Sequence, residues 1–301
     1  MIGETVVMRG VTHRYGSRVA VRDLDLTLRA GECVGLVGHN GAGKSTLIKM
    51  MLGLIRPSAG SVKVLGEDPA VGAAARARRE LGYLPENVAL HPSMTGNETL
   101  AFYARLKRQP VARNAALLES VGIAASAHRP VGTYSKGMRQ RLGLAQALLG
   151  SPRALLLDEP TTGLDPALRH NFYEIIRDLR RDGAMVLLSS HALAELEGQV
   201  DRVVVMNQGQ KVADGSLADL RALAAIPPRI RLRLAQAPRA VVNGPDAWAK
   251  WTSLSNGAME LSCDEVDVTS VLNGLPACAR DVEILRPSLD DLYAAFQKGA
   301  A

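Results

Sequence analysis

Tyr134-Ser135-Lys136-Gly137-Met138-Arg139-Gln140-Arg141, soon followed by Leu155-Leu156-Leu157-Asp158-Glu159-Pro160, decides how this 301-residue chain is read. Ser135 is a good helix N-cap, because its hydroxyl accepts an N–H that the first helical turn leaves unpaired. Gly137 leaves the backbone of that N-terminus uncovered, so the spacing predicts a helix over 135–149 whose start attracts anions. The apolar run 154–157 reads as a strand buried on both faces, as a parallel sheet requires. It ends in two adjacent acids, Asp158 and Glu159. Such a pair can be a solvated strand end, but the apolar run before it and Pro160 after it weigh against that.

Upstream, Gly38-His39-Asn40-Gly41-Ala42-Gly43-Lys44-Ser45 fits the pattern G-x-x-x-x-G-K-[ST]. It follows a buried strand at 33–37 and opens a run of helical spacing at 44–54, the context that such a loop needs. Its glycines let N–H groups turn inward around phosphates, and the helix N-terminus adds partial positive charge. Lys44 is expected on the β- and γ-phosphates of ATP, Ser45 on Mg²⁺, and Thr46 on the α-phosphate. Asp158 is expected to hold Mg²⁺ through water, and Glu159 to orient and deprotonate the attacking water. His191 follows the strand 185–190, where an imidazole can bridge the γ-phosphate and that water. Tyr15, in the turn Arg14-Tyr15-Gly16, is placed to stack on adenine.

The rest of the chain fits an α/β domain with an insertion and a tail. Val6-Val7-Met8 and Leu24-Asp25-Leu26-Thr27-Leu28 read as strands, the second with period-2 alternation. Residues 86–150 are dominated by helical patterns, including 97–107. Ser216-Leu217-Ala218-Asp219 has the form of a capping box, and Ile226-Pro227-Pro228 reads as a linker. The expected division is therefore 1–225 and 226–301, the second part carrying short alternating runs and a helix at 289–296. No stretch of about 18 apolar residues spans a membrane, and the start lacks a secretory pattern. Cys33, Cys263 and Cys278 form no C-x-x-C pair, so neither a zinc site nor a disulfide framework is expected. The net charge of +6 suits an anionic partner, but aromatics at 4% without arginine interleaving argue against nucleic acid.

Taken together, these motifs and their order over 1–220 resemble the ATP-binding cassette (ABC) family of transporter ATPases. The resemblance implies a P-loop NTPase fold with a mixed sheet core, an N-terminal antiparallel β subdomain and a helical insertion near 86–150, followed by a small C-terminal α+β extension. It also implies a head-to-tail homodimer in which Ser135, Gly137 and Gln140 face the γ-phosphate held by the other copy. Gly163-Leu164-Asp165 resembles the loop that links the two sites, and His191 the family's switch histidine. Two departures stand out. Tyr134, Lys136 and Met138 replace the usual residues of a Leu-Ser-Gly-Gly-Gln signature. Glu86 stands after Leu81-Gly82-Tyr83-Leu84-Pro85, where the family usually has glutamine, and is read as an outer-shell group on the Mg²⁺ side.

Within that family the runs 37–44, 81–88 and 133–150 are similar to the NosF-type ATPase, which serves copper-centre maturation of nitrous oxide reductase. That likeness implies a peripheral protein on the cytoplasmic side of the inner membrane. Its partner would be an integral membrane permease and, through it, a periplasmic accessory protein. The alternatives are a drug or polysaccharide exporter ATPase of the same subclass and, more distant, a soluble ABC ATPase acting on ribosomes or DNA.

Overall fold

A computed structural model describes residues 3–71, 75–162, 164–234, 251–254, 257–264, 267–275 and 279–298. Gly163 of the expected linking loop, and Cys278, lie outside them. The chain opens with two long strands, β1 (Glu4–Tyr15) and β2 (Arg18–Arg29), paired antiparallel around the turn at Gly16. Both run well beyond the expected segments. The period-2 signal is interrupted because the register shifts along the pair, with Gly10 (φ 54°) and Asp23 (φ 42°) in left-handed backbone. A later strand, β4 (Ala59–Val64), pairs with the free edge of β1 to complete a three-stranded antiparallel sheet.

The second sheet positions the functional residues. Its strands are β3 (Cys33–Val37), β5 (Leu81–Leu84), β6 (Ala154–Leu157), β7 (Met185–Ser190), β8 (Arg202–Asn207) and β9 (Gln210–Gly215). They lie in the order β5-β6-β7-β3-β8-β9, all parallel except β9. Every residue of β3, β6 and β7 is buried, so these strands are continuous apolar runs up to their polar ends. Cys33 is sealed in this layer, and burial pushes its thiol up to about 12, which leaves it unreactive.

Helix α1 (Lys44–Met51) follows β3. It stops short of the expected residue 54 because Gly53 turns the chain at φ 70°, where an added Cβ would lie 2.1 Å from the Pro69 carbonyl oxygen. After the short α2 (Ala75–Arg79) and β5 come α3 (Gly96–Leu106), α4 (Asn114–Ser120) and α5 (Lys136–Leu148), which form the helical insertion between β5 and β6. Thr95 and Glu98 cap α3 reciprocally. Lys107, just past α3, donates to the carbonyls of Leu81 (3.0 Å) on the edge strand β5 and Leu149 (3.2 Å) at the end of α5. That amine ties the insertion to the sheet, and burial holds it down at about 8. Helix α6 (Pro166–Arg181) then leads from the β6 acids back to β7.

The chain divides into two compact units after Leu217, ahead of the expected boundary near 225, so α7 (Leu217–Ala224) falls in the second from Ala218 onward. That unit holds a four-stranded antiparallel sheet of β10 (Arg229–Leu234), β11 (Thr252–Ser253), β12 (Ala258–Ser262) and β13 (Ala279–Leu285), in the order β11-β12-β10-β13. Helices α8 (Val268–Asn273) and α9 (Leu289–Lys298) accompany it, and Ile230, Leu232, Leu261 and Leu292 are buried. Among the described residues, no helix is long and apolar enough to cross a membrane.

Candidate nucleotide site

The strand order β6-β7-β3 sets three C-terminal strand ends side by side, although the residues they carry are far apart in sequence. This is the edge of an open parallel sheet at which ligands bind. Residues 38–43 leave β3, Asp158 and Glu159 leave β6, and His191 follows Ser190, the last residue of β7. A cleft of ≈ 600 Å³ opens over them. Its lining includes Tyr15, His39, Asn40, Gly41, Gly43, Lys44, Ser45, Thr46, Glu86, Asp158, Glu159 and His191.

Helix α1 points its N-terminus into this cleft. Side chains cap the starts of α3, α5 and α6 (Thr95, Ser135 and Asp165), but α1 starts at Gly43 (φ 108°) with no side-chain cap. Its first-turn N–H groups therefore have no intrahelical acceptor and offer positive potential to an anion. An added Cβ on Gly43 would lie 2.7 Å from the Ala20 carbonyl oxygen, so only glycine fits this approach. His39 steadies the loop: its Nε2 is 3.1 Å from Asn207 Oδ1 and its Nδ1 2.7 Å from the Asn40 carbonyl oxygen.

Three charged or titratable side chains meet at the centre. Buried Lys44 donates to the Gly38 carbonyl, and its Nζ lies 3.5 Å from Glu159 Oε1. Glu159 Oε2 is 2.9 Å from Nδ1 of the exposed His191. Glu159 itself sits at φ 49°, a left-handed conformation that costs a non-glycine residue about 1–2 kcal/mol. Strain of this kind persists only where neighbours hold it. Beside it, Asp158 is almost wholly buried; Oδ2 accepts from the Ser45 hydroxyl (3.2 Å) and Oδ1 from the Ser189 hydroxyl (2.7 Å).

A carboxylate and a hydroxyl together are a hard-oxygen donor set. It fits Mg²⁺, which keeps several waters and takes its other ligands from phosphate rather than from a full protein cage. Among the described residues there is no cluster of three or more His, Cys, Asp or Glu that would supply such a cage. Glu86 is exposed on the same wall. Burial, with the charges of Asp158 and Glu86 adding to it, pushes the Tyr83 phenol up to about 12. Tyr15 closes the far end, half exposed, with its ring edge-on to His13 at a centroid distance of 4.6 Å.

Not every expected site residue faces this cleft. Gly38 and Ala42 lie behind the loop; Ala42 is fully buried, and the Gly38 carbonyl serves Lys44. Ser135, Gly137 and Gln140 are absent from the lining. Ser135 caps α5 by accepting the Met138 N–H (3.2 Å), and an added Cβ on Gly137 would meet nothing within 4 Å. Gln140 is buried, with its amide 3.5 Å from the Pro160 carbonyl oxygen, which turns it inward within its own chain. Conversely, Arg18, Ala20 and Thr162 line the cleft, and Ser189 supports it from below, without having been expected there. Arg18 had one available signal, its place three residues after Tyr15 at the same β1–β2 turn.

Comparison with known proteins gives this geometry its relatives. Residues 21–162 match the family described as "ABC transporter". The chain is 42% identical over 212 residues to the Nod factor export ATP-binding protein I of Burkholderia orbicola, covering 69% of each. It is likewise 42% identical to YxlF of Bacillus subtilis, described as an uncharacterized ABC transporter ATP-binding protein, again over 69% of both. A solved structure of an ATP-binding subunit of an ABC transporter superposes with TM-score 0.69 at 31% identity, covering 73% of this chain and 92% of that one.

Proposed function

The chain belongs to the ATP-binding subunits of ABC transporters, which hydrolyse ATP, and from that membership we propose that two copies close head-to-tail on two ATP molecules to drive a membrane permease. The observation that carries the proposal is the meeting of Lys44, Glu159 and His191 from three strand ends, with Glu159 held between an ammonium at 3.5 Å and an imidazole at 2.9 Å. In this reading Lys44 and the open start of α1 bind the β- and γ-phosphates, and Thr46 contacts the α-phosphate. Tyr15 stacks on adenine. Ser45 and Asp158 hold Mg²⁺, with Glu86 as an outer neighbour. When bound, Mg²⁺ offsets the charge of the phosphates.

Glu159 takes the proton of the attacking water, and His191 keeps that carboxylate and the γ-phosphate in register. Such a general base is worth roughly 10²- to 10⁴-fold in rate. Ser135 and Gly137 complete the site of the other copy: both are reachable from outside at the start of α5, where a partial positive charge is available to a partner's phosphate. Gln140 acts by holding Pro160 in its own chain, given its burial.

For the pathway, the three long runs similar to the NosF-type ATPase support a permease for maturation of nitrous oxide reductase copper centres. The subunit would sit on the cytoplasmic side of the inner membrane, with a periplasmic accessory protein reached through the permease. The likeness to Nod factor export proteins supports a second reading, an exporter. One experiment tests both levels. The Glu159→Gln variant is assayed for ATP turnover and then captured with ATP from solubilised host membranes. Turnover reduced at least ~100-fold, with a permease and a periplasmic copper-maturation factor captured, is the expected result. A permease alone leaves the exporter, and near-normal turnover overturns the assignment of Glu159.

A further inference from the structure

We propose that Ser189 is a positioning residue for ATP hydrolysis, whose buried hydroxyl clamps the two acids at the end of β6 into their working orientation. The inference rests on the reading of Asp158 and Glu159 given above.

Ser189 is the penultimate residue of β7, the strand next to β6, and is fully buried. Its hydroxyl does two things at once. As donor it reaches Asp158 Oδ1 at 2.7 Å, and as acceptor it takes the backbone N–H of Glu159 at 2.9 Å. The first bond fixes the rotation of the Asp158 carboxylate. With Oδ1 committed to Ser189, Oδ2 is the oxygen left toward Ser45, at 3.2 Å from its hydroxyl. The second bond gives the Glu159 N–H an acceptor while the residue holds φ 49°. That backbone turn carries the Glu159 side chain back toward Lys44 and His191.

A single hydroxyl with both a donor and an acceptor bond is what this place needs. Alanine supplies neither bond, and valine fills the space while leaving a buried N–H without an acceptor. The next residue does not substitute for it, because the Ser190 hydroxyl is turned to its own loop, donating to the Ala192 carbonyl (3.1 Å) and accepting the Ala192 N–H (3.0 Å). The motif Ser189-Ser190-His191 therefore has three separate tasks: the acids, the loop turn and the carboxylate of Glu159.

The test compares Ser189→Thr with Ser189→Val, which have the same shape and differ by one hydroxyl, so any packing strain is common to both. Ser189→Ala serves as a smaller third variant. Steady-state hydrolysis gives kcat and KM. The gain in ATP affinity that Mg²⁺ provides, measured against ATP in EDTA by calorimetry in a Glu159→Gln background, gives a readout without turnover. A hydrogen bond to a charged group is worth roughly 10- to 100-fold. We expect kcat of the valine variant to fall by about that factor below threonine's while KM stays within about twofold. The Mg²⁺-dependent gain should shrink in valine and be retained in threonine. Equal kcat values for threonine and valine, or an unchanged Mg²⁺-dependent gain, would overturn the proposal. If Glu159→Gln alone kept normal turnover, the underlying assignment of the base would fail instead, and the two failures are told apart.

Discussion

Replacing Lys107 by methionine should make the stability of this protein less dependent on alkaline pH, by an amount set by one buried amine. Lys107 Nζ is enclosed at the junction of β5 and the helical insertion, where it faces the carbonyls of Leu81 and Leu149. Burial lowers its value from 10.5 to about 8. In the unfolded chain the amine keeps its proton up to 10.5, and in the folded chain only up to about 8. Between those values the unfolded state binds more protons, so folding is favoured as pH rises. Below about 8 the whole penalty of burying the ammonium is present, and above 10.5 it is gone. The gap corresponds to about 3 kcal/mol, of which about 2 kcal/mol should appear between pH 7.5 and 10. The neutral amine keeps two N–H groups, enough for both carbonyls, so deprotonation does not break the tie. Urea unfolding followed by far-UV circular dichroism, on the wild type and Lys107→Met across that range, reads the difference directly. The wild type should gain about 2 kcal/mol on the variant as pH rises. A constant difference, or one of opposite sign, would refute the burial argument.

The other expectations concern the nucleotide. Tyr15→Ala should raise KM for ATP by about fivefold or more with little change in kcat, and Tyr15→Phe should restore it, since a stacked base needs only the ring. Gly137→Ala should leave the melting temperature of the isolated subunit unchanged, because the new methyl meets nothing within 4 Å. It should nevertheless abolish ATP-dependent dimerisation of the Glu159→Gln protein by size-exclusion chromatography; a normal dimer would remove α5 from the proposed interface. Glu86→Gln should shift the Mg²⁺ concentration for half-maximal hydrolysis, and an unchanged titration would exclude Glu86 from the metal's surroundings.

The local chemistry was readable because it is written in short runs. The loop 38–45 between a buried strand and a helix, the acids after an apolar strand, and the Ser135 cap each depend on neighbours within a few residues. What stayed hidden depends on long-range pairing. Placing β7 between β6 and β3 brings the Ser189 hydroxyl under acids about thirty positions away in the chain, and nothing in a Ser-Ser pair announces that. Lys107 looks like an ordinary helix-end cation until β5 and the end of α5 close around it. The β1–β2 pair was underestimated because its register shifts break the alternation on which strand recognition relies. The signature spacing of Gln140 implies a γ-phosphate on the other copy and gives no hint that its amide has the Pro160 carbonyl as an acceptor within the chain.

The ion pair between Lys44 and Glu159 has a consequence for trapping experiments. One ammonium cannot serve both that carboxylate and a triphosphate at full strength, so nucleotide and base compete for Lys44. Removing the charge of Glu159 ends the competition as well as the chemistry. An ATP-bound Glu159→Gln protein is therefore held together for two reasons, slower hydrolysis and a lysine released to the phosphates. Its affinity for a nucleotide that cannot be hydrolysed should exceed that of the wild type, which makes the variant an imperfect measure of how tightly the native subunit holds ATP.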